Sequence, residues 1–69
     1  MEEIKINSEF IKLDAFLKWA NIVSSGSDAK FFIRNGEVKV NDEIEVRRGK
    51  KLYIGDIIEF EDKKYKIID

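Results

Sequence analysis

The sequence predicts an α+β fold in which two short helices pack on one side of a small antiparallel sheet. Three observations carry this expectation. Apolar residues recur at helical spacing over Leu13–Ala20 and again over Ala29–Ile33. The spacing falls to two after Gly36. Turn signals then punctuate short apolar runs as far as the C-terminus.

The elements follow in order. Glu3 to Ile6 alternates and predicts an edge strand, broken by Asn7-Ser8. Leu13, Phe16, Leu17 and Ala20 fall at i, i+3, i+4 and i+7, the apolar face of a first helix. Ile22 and Val23 extend that apolar run towards Ser24, and Trp19 lies on the flank of the wheel. Ser24-Ser25-Gly26-Ser27-Asp28 is a break. Ser25 with Asp28 fits the acidic variant of a capping box opening a second helix. Ala29, Phe32 and Ile33 form its buried stripe, and Asn35-Gly36 ends it. A helix of about ten residues is unstable alone, so it must pack on the first helix and the sheet.

Val38 and Val40 then point one way, Glu37 and Lys39 the other. Asn41-Asp42 is a two-residue hairpin turn, with Ile44 and Val46 on the return strand. Arg47 to Lys51 reads as a polar loop, Leu52-Tyr53 as a short extended piece and Gly55-Asp56 as a turn. Ile57–Phe60 and Tyr65–Ile68 pair across Glu61-Asp62-Lys63-Lys64. No linker, repeat or low-complexity stretch interrupts the chain, so its 69 residues form one domain, 1–69.

Composition narrows the function classes. A chain of this size buries only about 60% of its unfolded surface, so its core is small. Cys and His are both absent, which rules out disulfides and a zinc site of the usual ligands. Gly26, Gly36, Gly49 and Gly55 are isolated, so no phosphate-cradling glycine loop exists. No cofactor, metal or small-molecule substrate is expected. The start Met1-Glu2-Glu3-Ile4-Lys5 lacks the basic and apolar regions of a signal peptide. No apolar stretch nears the roughly 20 residues that span a membrane. A soluble cytoplasmic protein is the expectation.

Net charge is −1, from 13 basic and 14 acidic residues, but the charges are segregated. Arg47, Arg48, Lys50 and Lys51 crowd one loop, with no acid between Val46 and Ile54. The acids gather at Glu2, Glu3 and Glu9 and at Glu59, Glu61, Asp62 and Asp69. On the second helix Lys30 and Arg34 lie one turn apart, with Phe31 beside them and away from the buried stripe. An aromatic between two cations suits an unpaired base; cover by the N-terminal strand or a partner chain is the favoured alternative.

The ordered pattern resembles a known family, the RNA-binding domain first described in ribosomal small-subunit protein four, here the S-four domain or αL RNA-binding motif. Lys12-Leu13-Asp14 and Leu17 match its opening. Ser25, Ala29, Ile33 and Gly36 match its second helix. Val38, Val40 and Asn41 match its strand, and Gly55-Asp56 its closing turn. The motif core covers residues 12–60, and the chain is similar to small stand-alone bacterial members. There are departures. Lys12 stands where Arg is usual, Gly26 where an Arg often follows the Ser, Asp42 for the turn Gly, and Ile54 for a Pro.

The resemblance implies a non-catalytic module for structured RNA of the ribosomal RNA or tRNA class. Its candidate contacts are Lys12, Lys30, Phe31, Arg34, Arg47, Arg48, Lys50 and Lys51. Arg offers bidentate contacts to phosphate, and Lys a mobile point charge. Asp14 reads as a first-turn carboxylate favoured by the helix dipole, and Ser25 as a cap with no His to activate it. A second expectation is a protein-interaction module that keeps the fold and uses an apolar patch near Trp19 or Phe31. Net charge −1 and Gly26 motivate it.

Overall fold

A computed structural model describes all residues, Met1–Asp69. The chain runs β1 (Glu2–Lys5), β2 (Ile11–Lys12), α1 (Leu13–Trp19), α2 (Gly26–Arg34), β3 (Val38–Val40), β4 (Glu43–Ile44), β5 (Lys51–Leu52), β6 (Ile57–Phe60) and β7 (Lys63–Ile68). Five strands form a sheet in the order β1-β7-β6-β3-β4, and β2 with β5 form a separate ribbon.

Helix α1 buries Leu13, Phe16 and Leu17 and stops at Trp19. It cannot continue, because Asn21 takes a φ of 58° and the N–H groups of Ile22 and Val23 turn back onto the Leu17 carbonyl at 2.9 and 3.2 Å. Ile22 and Val23 therefore pack from the connecting loop rather than extending the helix. Helix α2 starts where expected: the Ser25 hydroxyl accepts from the Asp28 N–H at 3.1 Å. The return half of the capping box does not form, since the Asp28 carboxylate accepts from the Ser24 hydroxyl at 3.0 Å. Gly36, at φ 74°, ends the helix in the left-handed region.

Two tight hairpins organise the sheet. Asn41 and Asp42 have φ of 51° and 70°, and Glu61 and Asp62 have 51° and 65°. Positive φ at both central residues matches the twist of antiparallel strands. The second turn is thus two residues long, not four, and β7 begins at Lys63. The strand after Asp42 is also shorter than the alternation suggested. Glu45 donates to the Val38 carbonyl at 3.0 Å, and the chain then leaves the sheet with Val46 exposed. The antiparallel expectation holds except at one edge, where β1 runs parallel to β7 from Glu2↔Tyr65 to Lys5↔Ile68. The long path between these two strands permits the parallel direction.

All fourteen buried residues are apolar. Leu13, Phe16, Leu17, Ala29 and Ile33 from the helices join Val38, Ile58, Phe60 and Ile67 from the sheet in one cluster. Phe32 covers its edge, with its ring 4.9 Å from that of Phe60. No buried polar side-chain atom lacks a hydrogen-bond partner.

Candidate nucleic-acid interface

The basic loop is anchored through its backbone. Lys12 offers α1 no side-chain cap. Instead the Lys50 carbonyl accepts from the Leu13 N–H at 2.9 Å, and the Arg48 carbonyl from the Asp14 N–H at 3.1 Å. Two otherwise unpaired N-terminal donors of α1 are thereby satisfied by the loop. The loop closes on itself with Lys50 N–H donating to the Arg47 carbonyl at 3.2 Å. It then enters β5, where Lys51 pairs with Lys12 and Leu52 with Ile11. Lys12, remote in sequence, is thus brought directly against the loop cations.

Arg47 differs from its neighbours. Its Nε and Nη2 donate to the Glu45 carboxylate at 2.9 and 3.1 Å, and its backbone N–H donates to the same group at 3.0 Å. These hydrogen bonds, led by the side-chain ones, hold the Glu45 carboxyl below its ordinary value of 4.5, and Glu45 raises Arg47. No other ion pair forms in the molecule. The loop therefore presents three cations outside any ion pair, Arg48, Lys50 and Lys51, and not four.

The pairing has a pH consequence. A carboxylate whose folded pKa is depressed stabilises the fold fully above its unfolded pKa and loses that contribution as pH falls through the folded value. Glu45→Gln is thus expected to lower Tm at neutral pH. The gap to the native protein should shrink progressively below about pH 4.5 in thermal unfolding scans.

On α2, Lys30 is half-buried, while Phe31 is 59% exposed and Arg34 lies exposed in the last turn. With Ser27 and Asn35 these three line a shallow depression. Phe31 packs edge-on against Phe32 at 5.4 Å and is left uncovered by the N-terminal strand. The C-terminal end of α2 adjoins the start of the basic segment: a Cβ on Gly36 would sit 3.7 Å from an Ile44 methyl. The segment after Ile44 thus leaves from beside the end of α2 and lands on the start of α1. No ion pair joins the α2 cations to the loop.

The motif positions Asn41 and Asp56 prove to be structural partners. Asp56 accepts from the Tyr53 N–H at 2.8 Å and from the Asn41 amide at 3.2 Å, and Asn41 accepts from the Ile57 N–H at 2.9 Å. This network ties the β3–β4 turn to the exit of the basic loop. Hydrogen bonds to a charged group contribute about 1.5–3 kcal/mol each, discounted here for partial exposure. Asp56→Ala is therefore expected to cost about 1–3 kcal/mol in denaturant unfolding.

Gly26, where the family often has Arg, is the first residue of α2 and has no positive φ. A Cβ there would meet only the Lys18 side chain, at 3.9 Å. Gly26→Ala should stabilise the protein by about 0.4–1 kcal/mol, measured the same way, by restricting the unfolded chain.

Two aromatic residues went unmarked by spacing. Phe10 and Tyr53 lie with ring centroids 6.3 Å apart, and the Lys51 ammonium sits 4.7 Å from the Phe10 centroid. The available signal was alternation: Phe10, just before β2, is spaced by two from Lys12, and Tyr53, just after β5, by two from Lys51.

No group of three or more Asp and Glu side chains is placed to hold a metal ion, and no helix is long and apolar enough to cross a membrane. The S4 domain model matches residues 4–68, and the chain belongs to the S4 domain family. This agrees with the resemblance carried by Lys12-Leu13-Asp14 through Gly55-Asp56. The chain is 52% identical over 58 residues, 84% of its length and 82% of the relative's, to the probable ribosome maturation protein RlbA of Bacillus subtilis (strain 168). Among solved structures it is similar to YbcJ from E. coli, described as having an αL motif involved in RNA binding. That match has a TM-score of 0.75 and 26% identity, and covers 100% of this chain and 89% of YbcJ. The 30S ribosomal protein S4e of Thermoplasma acidophilum shares the fold, with a TM-score of 0.66 and 19% identity, over 87% of this chain and 32% of that one.

Proposed function

We propose that this protein is a non-catalytic, cytoplasmic module that binds structured RNA of the ribosomal RNA or tRNA class. The observation that carries the reading is the backbone-anchored loop. Arg48, Lys50 and Lys51 project from a segment clamped to α1, with Lys12 alongside. Preordering the backbone that carries these cations lowers the entropy lost when phosphates are bound. Lys30, Phe31 and Arg34 extend the surface along α2. Phosphate contacts would set position, and the shape of the folded RNA would set selectivity. Membership of the S4 family, the name of the Bacillus relative and the description of YbcJ support the same reading.

The two residues that invite a catalytic reading have structural partners. The Ser25 hydroxyl caps α2, and Asp14 accepts from the Ala15 N–H at 2.7 Å. The direct test is crosslinking in living cells, followed by sequencing of the bound RNA. Recovery of ribosomal RNA or tRNA fragments is expected, with crosslinks in the basic loop or α2. Recovery no greater than from a variant lacking the loop cations would refute it.

A second reading has one observation in its favour. The Trp19 ring, whose N–H donates to the Lys5 carbonyl at 3.0 Å, stays largely exposed beside Ile11 and Ala15. This apolar patch suits a protein partner. A complex that survives nuclease treatment and is lost in Trp19→Ala would favour it.

A further inference from the structure

We infer that the outward face of the β2–β5 ribbon is a nucleotide-stacking site that holds one unpaired base of the bound RNA. The inference rests on the RNA-binding reading above and adds a ligand chemistry to it.

The geometry begins with the ladder. Ile11 pairs with Leu52 and Lys12 with Lys51. Leu52 is fully buried and Ile11 partly so, which fixes one face of the ribbon on the core. Side chains alternate along a strand, so Lys12 and Lys51 occupy the opposite face, and the Phe10 ring just before β2 joins them under the Lys51 ammonium, with Tyr53 just after β5 beside it. The result is two aromatics and two cations on a patch two strands wide.

This arrangement is poor for a surface facing only water. Like charges directly opposite in an antiparallel pair destabilise it. Neither Lys12 nor Lys51 has a carboxylate partner, since the molecule's ion pair joins Arg47 and Glu45. Phe10 and Tyr53 remain 37% and 46% exposed. An anion between the lysines and a flat apolar ring beside them would relieve both features at once. A nucleotide supplies both, as phosphate and base.

The patch is also preordered. Tyr53 is fixed through its backbone by Asp56, whose carboxylate accepts its N–H at 2.8 Å and whose N–H donates to its carbonyl at 3.0 Å. The Ser8 hydroxyl donates to the Phe10 carbonyl at 2.9 Å. The two rings are inclined at 48°, so one base cannot lie flat on both. Lys51 stands over Phe10, leaving Tyr53 as the stacking ring and Phe10 as its side support. An A-form duplex hides its bases within the stack, so the occupant is a bulged or looped base flanked by paired RNA.

The test uses a short RNA hairpin carrying a single bulged fluorescent purine, a matched hairpin with an abasic bulge, and the full chain. Stacking one base is worth about 5- to 150-fold in affinity. The native protein should therefore bind the purine bulge more tightly than the abasic one and change its fluorescence. Tyr53→Leu should remove that preference and leave the salt dependence unaltered, while Tyr53→Phe should retain it. Equal affinity for the two hairpins, with Tyr53→Leu indistinguishable from native, would overturn the stacking site and leave RNA binding intact. Failure to bind either hairpin, even at low salt, would overturn both. Unchanged thermal unfolding of Tyr53→Leu checks that the ribbon is preserved.

Discussion

Replacing Arg48, Lys50 and Lys51 together by Ala is expected to weaken binding to structured RNA by about 100- to 500-fold at 0.1 M salt. The magnitude follows from counterion release. Each phosphate contact contributes about 0.7–0.9 to the slope of log affinity against log salt, or about 5- to 8-fold at that concentration. Three independent contacts multiply. The variant should still fold, because the carbonyls of residues 48 and 50, not their side chains, hold the start of α1. Anisotropy titrations of labelled RNA with a parallel thermal melt give both readouts. Arg47→Ala alone should cost less than either Arg48→Ala or Lys51→Ala, because Glu45 already engages the Arg47 guanidinium. A triple variant within about tenfold of native affinity would show that the loop is not the principal contact.

Phe16→Ala is expected to remove most of the protein's stability, about 3–5 kcal/mol. Phe16 is fully buried and heads the largest side chains of the core. It belongs to the cluster that joins both helices to the sheet. Removing a buried Phe costs about 3–5 kcal/mol, as lost transfer energy plus the cavity left behind. Domains hold about 0.05–0.15 kcal/mol per residue, so a chain this short has about 3–10 kcal/mol in total. With no disulfide available to compensate, the loss takes most of that margin. Denaturant titration followed by circular dichroism measures it directly. Phe16→Leu, which keeps more of the volume, should cost much less.

Periodicity read the elements well wherever one face meets the core. Leu13, Phe16, Leu17, Ala29, Ile33, Val38 and Val40 all are buried as their spacing required. The turns at Asn41-Asp42 and Gly36 were likewise written in residues that tolerate positive φ. Features that depend on distant contacts were not legible. The parallel pairing of β1 with β7 leaves no local trace. Ile11 and Lys51 look like loop residues until the ribbon joins them.

The candidate site divides the same way. Clustering of like charge marked the loop, but only the fold shows Arg47 turned onto Glu45 and Lys12 brought to Lys51. Asn41 and Asp56 belong to the recognisable pattern because they fasten the scaffold. Phe10 and Tyr53 lie outside that pattern, and the pairing that sets them together is formed by only two residues on each side.

The salt dependence of RNA binding tests the cationic loop most directly. Arg48, Lys50, Lys51 and Lys12 acting together give an expected slope near −3 in log affinity against log salt. Removing the three loop cations should flatten it by about 2 to 3. A native slope near zero, or the same slope in the triple variant, would contradict the assignment of the loop as the phosphate-binding surface.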